Sequence, residues 1–483
     1  MKICLVAAFP PSRRQLSEYS YHIARELQRY PEVELTILAD ELTDYKFSTD
    51  SHGVAVDSKS MEELPGFDVI RCWKFGSLGT PVRLLKTIRE IKPDVVWFNL
   101  VYSSFGSPES PVSAFAGLSI PSLTRASGFF THVTLHHIIE HIDFGDSGIR
   151  LEKLYRMGTA LATRVLLKAD SISVLLSSYR RTLMRKYSAK NIVLGTHGTF
   201  TSIATPPDFS KHDDDAPQIL AFGHWGTYKR LETLMEAFPK VLEKIQNARL
   251  VVAGGNHPTR PGYWESVRDA QPAGLPIEFR GYVPQRDVAP LFRGSSVLVM
   301  PYHSSTGSSG PAHQACEHGL PIICSDIPDF QCMSRDDDMA ISFYKTDEPD
   351  QLADSLVNLL TSPELRRKMA EQNYAAGVRM SMANVARSYL RWFELHQCKS
   401  VLENGTTLSE QASRSQSRWK QSLGDRILEF LPQDRSAASA KVATLGKSSP
   451  NVPIASPQHA SSQKPKVVNG PLEVDNEGYA DAG

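Results

Sequence analysis

Residues 301–326 read PYHSSTGSSGPAHQACEHGLPIICSD. The order is a short apolar strand end, a Gly/Ser loop, a short helical stretch closed by Gly319, and a new apolar strand from Pro321. Gly307, Ser308, Ser309 and Gly310 leave a nearly bare backbone that a ligand can approach closely. Pro311 suits the first turn of a helix. A helix start with unpaired N–H groups attracts anions, and phosphate is the usual one. The segment reads as part of an α/β domain that holds a phosphorylated ligand. An ordinary βα loop is the plain alternative.

The same alternation extends in both directions. Apolar runs at 2–9, 33–39, 94–98, 131–136 and 171–175 read as strands, and 17–30 as an amphipathic helix. After NIVLGTHG at 191–198 a polar stretch, 206–217, carries Asp213–Asp215. The pattern then restarts, with strands at 218–222, 248–253, 277–280, 296–300 and 321–325 and a helix at 230–245. Strands alternating with helices imply βαβ units and parallel sheets. Ligands of such sheets lie beyond the carboxyl ends of the strands. Residues 364–395 read as helical throughout, and 400–483, rich in Ser, Gln, Pro and Ala, read as a disordered tail. Within that tail 419–431 has a weak amphipathic pattern.

Composition narrows the function class. Lys+Arg and Asp+Glu each number 53 in 483 residues, a zero formal charge that argues against a general nucleic-acid binder. The six cysteines are scattered with no CxxC pair, so neither a metal knuckle nor a disulfide framework is expected, and a reducing cytoplasm is the simple setting. No run approaches the ~20 apolar residues that span a bilayer. The apolar start MKICLVAAF meets Pro10 and Pro11, then Arg13 and Arg14, and reads as a first buried strand rather than a secretory segment.

Four features fall at the carboxyl ends of second-half strands. In GHWGTYKR, Gly223 turns the chain and Lys229 stands at a helix start, where an ammonium can meet phosphate. Gly254 and Gly255 end LVVA. FRGYVP at 279–284 offers backbone to a nucleobase, or is a plain turn. The opening segment is the fourth. In the first half His136 and His137 end THVTL, and a histidine there can exchange a proton near neutral pH. Adjacent strand residues face opposite ways, which favours His136.

These motifs resemble the retaining glycosyltransferases of family 4, over about residues 1–397. The family's G-R-L-x-x-x-K-G corresponds to Gly223–Arg230, with Lys229 matching and His224 in place of the arginine. Its F-x-G-x-V turn corresponds to Phe279–Val283, and its linker to Thr196-His197-Gly198. Its E-G-F-G-L-P-x-x-E-A-x-A-x-G-x-P corresponds to the opening segment, where Gly307, Pro311, Ala315, Gly319 and Pro321 match. Thr306 and Gln314 stand where the family has its two glutamates.

The resemblance implies an α/β GT-B fold of two Rossmann-like domains facing across a cleft. The expected divisions are an acceptor-side domain at 1–200, a nucleotide-sugar domain at 201–380, a returning helix at 381–398 and the tail at 399–483. It implies a retaining hexosyltransferase of polysaccharide or glycoconjugate synthesis that uses a UDP- or GDP-linked sugar and no metal or other cofactor. The acceptor is a glycan or a lipid-linked one. Lys229 and His136 are implied to be catalytic. Gly223, His224, Lys229, Gly281, Tyr282, Val283, Thr306, Gly307, Ser308, Ser309, Gly310 and Gln314 are implied to bind the donor, with the Gln314 amide able to serve ribose hydroxyls. The absent glutamates keep open a degenerate GT-B protein that binds without catalysing. An epimerase fits the architecture but not the spacing. A basic stretch, Arg180, Arg181, Arg185, Lys186 and Lys190, suits peripheral contact with anionic lipid at the inner face of the membrane, or a solvated helix face.

Overall fold

Apolar runs bounded by turns become central strands, because a parallel strand covered on both faces needs no polar alternation. The computed structural model describes residues 1–12, 14, 16–42, 66–107, 110–141, 152–200, 206–209, 216–257, 260–304 and 307–403. Thr306 and Arg13 lie outside them, as do the tail from 404 onward and its 419–431 segment.

Thirteen strands among the described residues form two parallel sheets. The first holds β1 (Lys2–Val6), β2 (Glu34–Asp40), β3 (Asp68–Trp73), β4 (Val95–Leu100), β5 (Phe130–Leu135), β6 (Ser171–Val174) and β7 (Ile192–Leu194), in the order β3-β2-β1-β4-β5-β6-β7. The second holds β8 (Gln218–Phe222), β9 (Arg249–Ala253), β10 (Ile277–Gly281), β11 (Val297–Met300), β12 (Ile322–Ser325) and β13 (Ile341–Tyr344), in the order β10-β9-β8-β11-β12-β13. Each order reverses beside its first strand, between β1 and β4 and between β8 and β11. That is where a doubly wound sheet opens a crevice for a ligand.

β4, VVWFNL, is buried along its whole length, which is why its sequence is legible as a strand. β3, β7 and β13 were not foreseen. All three are edge strands with one buried residue each, and β7 and β13 have only three and four residues. The helix expected over 364–395 is two helices, Pro363–Arg379 and Met382–Glu403. The break comes where Thr199 N–H donates to the Met380 carbonyl at 2.8 Å and Thr199 bridges Ser381. Asn384 Nδ2 takes up carbonyls left by the first helix, Val378 O at 3.0 Å and Arg379 O at 3.3 Å. Tertiary pairing thus overrides a continuous helical pattern.

The second of these helices runs five residues past the expected end at 398, to Glu403. Met382, Val385, Ala386, Tyr389 and Phe393 are buried with Ile3, Leu5, Val95 and Trp97 of the first sheet. Tyr389 and Ser173 hydroxyls meet at 2.9 Å, and Trp392 Nε1 donates to Ser171 Oγ at 2.7 Å. The two halves also meet through the helices Ser177–Tyr187 and Pro328–Asp336. Tyr179 Oη donates to Asp329 Oδ2 at 2.7 Å, and Ser177 N–H donates to Asp336 Oδ2 at 2.6 Å. No described helix is long and apolar enough to cross a membrane.

Candidate active site

Three strand exits of the second sheet cross at glycines. Gly223 N–H donates to the Ala253 carbonyl at 3.1 Å, and Gly254 N–H donates to the Gly281 carbonyl at 2.5 Å. A Cβ on Gly254 would lie 1.9 Å from the Gly223 carbonyl oxygen, and its φ of 107° is one that side chains resist. Gly254→Ala should therefore destabilise the fold by about 3 kcal/mol or more, from backbone overlap and strain together. Chemical unfolding checks this; a loss below about 1 kcal/mol would contradict the crossing.

The crossing places the loop after β8. Trp225 is buried, receives the His257 N–H at its carbonyl at 2.6 Å, and donates Nε1–H to Ala253 O at 3.0 Å. His303 N–H donates to the Tyr228 carbonyl at 2.8 Å and ties this loop to the one after β11. Lys229 ends the short turn Thr227–Lys229 and is only 8% exposed. Its Nζ lies 4.8 Å from the Tyr302 ring centroid and 5.8 Å from those of Trp225 and Tyr228. Among the described residues no carboxylate is within ion-pair distance of it. Burial brings the Lys229 ammonium down to about 7. His224 is exposed on the rim; desolvation first, then the Lys229 and His257 charges, holds its imidazole below the ordinary value. His257 is lowered likewise, by burial and by Lys229.

The opening segment lies beside this lysine. Gly223 and Gly307 have φ of 146° and 144°. A Cβ on Gly307 would sit 2.8 Å from the His136 carbonyl oxygen, so the Gly/Ser loop touches the first half of the chain there. The helix Gly310–Glu317 follows, and no side chain caps its first turn at Ser309. Those N–H groups remain for an anion. His313 Nδ1–H donates back to the Ser309 carbonyl at 2.7 Å and steadies the loop, while its ring lies 4.7 Å from that of His197. Gln314 is half-buried one residue further on. Ser308 Oγ is buried without a hydrogen-bond partner.

Across the cleft His136 Nε2 meets Asn99 Oδ1 at 2.6 Å, and Asn99 Nδ2 donates to Ser20 Oγ at 3.0 Å. Asn99 Oδ1 is thus the acceptor, and Nε2 carries the His136 proton. Burial above all, then the His197 and His137 charges, keeps the ring well below its ordinary value. That direction favours the neutral ring and runs against proton exchange near neutral pH; with the proton on Nε2, Nδ1 is an acceptor. The Tyr19 ring packs edge-on against it at 4.6 Å. His137 turns toward Tyr102, 5.9 Å between rings, and burial lowers it to about 4.

Of the β10 exit, Gly281 has φ of 62°, Val283 is half-buried against the core, and Tyr282 projects to solvent at 56% exposure. The structure thus gathers Gly223, Lys229 and Gly307–Gly310 at one edge and leaves His224 and Tyr282 on its rim. It also brings in Tyr302, Tyr19 and His197, which the sequence reading did not place in the site. Tyr302 had a signal, since it lies two residues past the β11 strand.

Two doubly wound parallel sheets, joined by a returning helix and bearing this lysine, glycine loop and helix start, define the GT-B architecture. Sucrose-phosphate synthase from Thermosynechococcus elongatus superimposes with a TM-score of 0.61 at 14% identity, covering 83% of this chain and 100% of that one. The Anabaena protein HepE in complex with UDP and glucose gives 0.57 at 12%, covering 82% and 99%. Residues 216–362, which hold the whole second sheet, match the family model described as glycosyl transferases group 1. A phosphatidyl-myo-inositol mannosyltransferase of Mycobacterium leprae is 24% identical over 196 residues, 40% of this chain and 50% of that protein. A D-inositol 3-phosphate glycosyltransferase of Frankia alni is 26% identical over 187 residues, 37% and 45% respectively. The chain spans about half the length of the curated relatives it matches.

Proposed function

We propose that this protein transfers a sugar, with retention of configuration, from a nucleoside-diphosphate sugar to a glycan or lipid-linked acceptor. The observation that carries the reading is Lys229: a buried ammonium with no carboxylate in ion-pair distance among the described residues, beside a glycine loop and an uncapped helix start. A buried cation is costly unless a counter-charge arrives, and a departing diphosphate supplies one. Lys229 and the N–H groups of Ser308, Ser309 and Gly310 hold the leaving group's charge. The donor is a substrate, UDP- or GDP-linked, and neither a metal nor another cofactor enters the scheme. Neutral His136 accepts a hydrogen bond from the transferred sugar through Nδ1.

Resemblance to a mannosyltransferase of phosphatidyl-myo-inositol and to a protein bound to UDP and glucose supports the donor class and a lipid-linked acceptor. Arg180, Arg181, Arg185, Lys186 and Lys190 are all exposed, and a peripheral lipid contact would use them, at the cytoplasmic face of a membrane. Polysaccharide or glycoconjugate synthesis is the setting that fits.

A thermal-shift series with UDP, GDP and their sugars tests the reading, since a ligand of the folded state raises the midpoint. One nucleotide series should raise it, and that sugar donor should then be hydrolysed or transferred with its anomeric configuration kept, as read by NMR. No shift with any of them would defeat the reading. Gln314, where the family has an acid, favours one second reading, a protein that binds the donor without turning it over. Stabilisation without any donor hydrolysis would establish that instead.

A further inference from the structure

A second polar group in the lysine pocket has no partner among the described residues. Tyr302, just past β11, is 4% exposed, and its hydroxyl is buried without a hydrogen bond. Burying an unpaired hydroxyl costs stability, and phenylalanine would fill the same space without that cost. The side chain is held in place. Its ring centroid is 5.4 Å from that of Phe330, and its carbonyl accepts from Ser325 Oγ at 2.5 Å. Lys229 Nζ sits over its face.

Gly223 tells where the hydroxyl points. A Cβ on residue 223 would lie 2.8 Å from Lys229 Nζ and 3.4 Å from Tyr302 Oη. The two groups converge on one small space, open only because residue 223 is glycine. His224, the other candidate for a second donor, is exposed on the rim. A hydroxyl also has an advantage over a second cation here: it donates to an anion without repelling a protonated Lys229.

We propose that Tyr302 Oη donates a hydrogen bond to the diphosphate of the sugar donor, as the neutral companion of Lys229. The inference rests on the donor-site reading above and adds a residue to it.

Tyr302→Phe tests it, in the full chain, by titration with UDP and GDP and with the corresponding nucleosides. The ring, its packing on Phe330 and its face toward Lys229 are kept. The midpoint of the unliganded variant should be unchanged or higher, since an unpaired buried hydroxyl has been removed. Affinity for the nucleoside diphosphate should fall about tenfold, while affinity for the nucleoside stays the same. Equal diphosphate affinity in wild type and variant would overturn this inference and leave the donor site standing. An equal loss for nucleoside and diphosphate would also overturn it, because it would mark a deformed pocket. Wild-type protein that binds neither diphosphate would defeat both the inference and the donor site beneath it.

Discussion

Lys229→Met should lower the rate of sugar transfer by about 10²–10³-fold while leaving the protein at least as stable as before. The two halves of that expectation come from one fact. Lys229 is 8% exposed, with three aromatic rings around its ammonium and no carboxylate within ion-pair distance among the described residues. In the empty protein an unpaired buried charge is a cost, so methionine, of similar length and uncharged, relieves it. On the proposed function the same charge faces the diphosphate as the glycosidic bond breaks. Removing one preorganised group at such a place has about that effect on rate. Initial rates and a denaturant titration on the same preparation decide it. A variant that loses stability and keeps its rate would reverse the assignment and make Lys229 a structural residue.

Donor affinity should fall steeply with pH above neutrality. Burial brings Lys229 from 10.5 down to about 7 in the free protein. A bound diphosphate favours the ammonium and raises it again. The protonated fraction of the free protein falls tenfold per unit above about pH 7, and affinity falls with it until the pKa of the bound state is reached. Binding near pH 8 should then take up close to one proton. Calorimetry in two buffers of different ionisation enthalpy counts it. His224 and His257 sit close to this lysine, but both are held below their ordinary value and so are already neutral there. No uptake at pH 8, with affinity level across the range, would sink the prediction.

Stability carries the opposite sign. Between about 7 and 10.5 the unfolded chain holds a proton on Lys229 that the folded chain lacks, so stability rises with pH across that window. The burial cost is complete below it. In Lys229→Met that contribution to the slope should vanish.

Much of this arrangement was open to reading in the residues. The Gly/Ser loop, Pro311 and the strand exits at Gly223, Gly254 and Gly281 each depend on short local patterns: a glycine where φ is positive, a proline where a helix begins. What stayed hidden depends on distant parts of the chain. The break at Met380 and Ser381 is made by Thr199. The neutral state of His136 comes from its burial beside Tyr19, His197 and Asn99, all remote in sequence. The edge strands β3, β7 and β13 are half in solvent or very short, so their apolar pattern is diluted. Tyr302 looked like one more aromatic after a strand, and only its place beside Gly223 and Lys229 gives its hydroxyl a purpose.

The bridge between Thr199 and Ser381 has a mechanical side. The chain passes between its halves twice, once after β7 and once just before the Met382–Glu403 helix, and the bridge pins the two passages side by side. That seam is not the only place where the halves touch. A second is the pair of helices joined by Tyr179–Asp329 and Ser177–Asp336, and a third is Gly307 against the His136 carbonyl. The glycine loop is therefore clamped from both halves, and any change in the angle between them would have to reshape it.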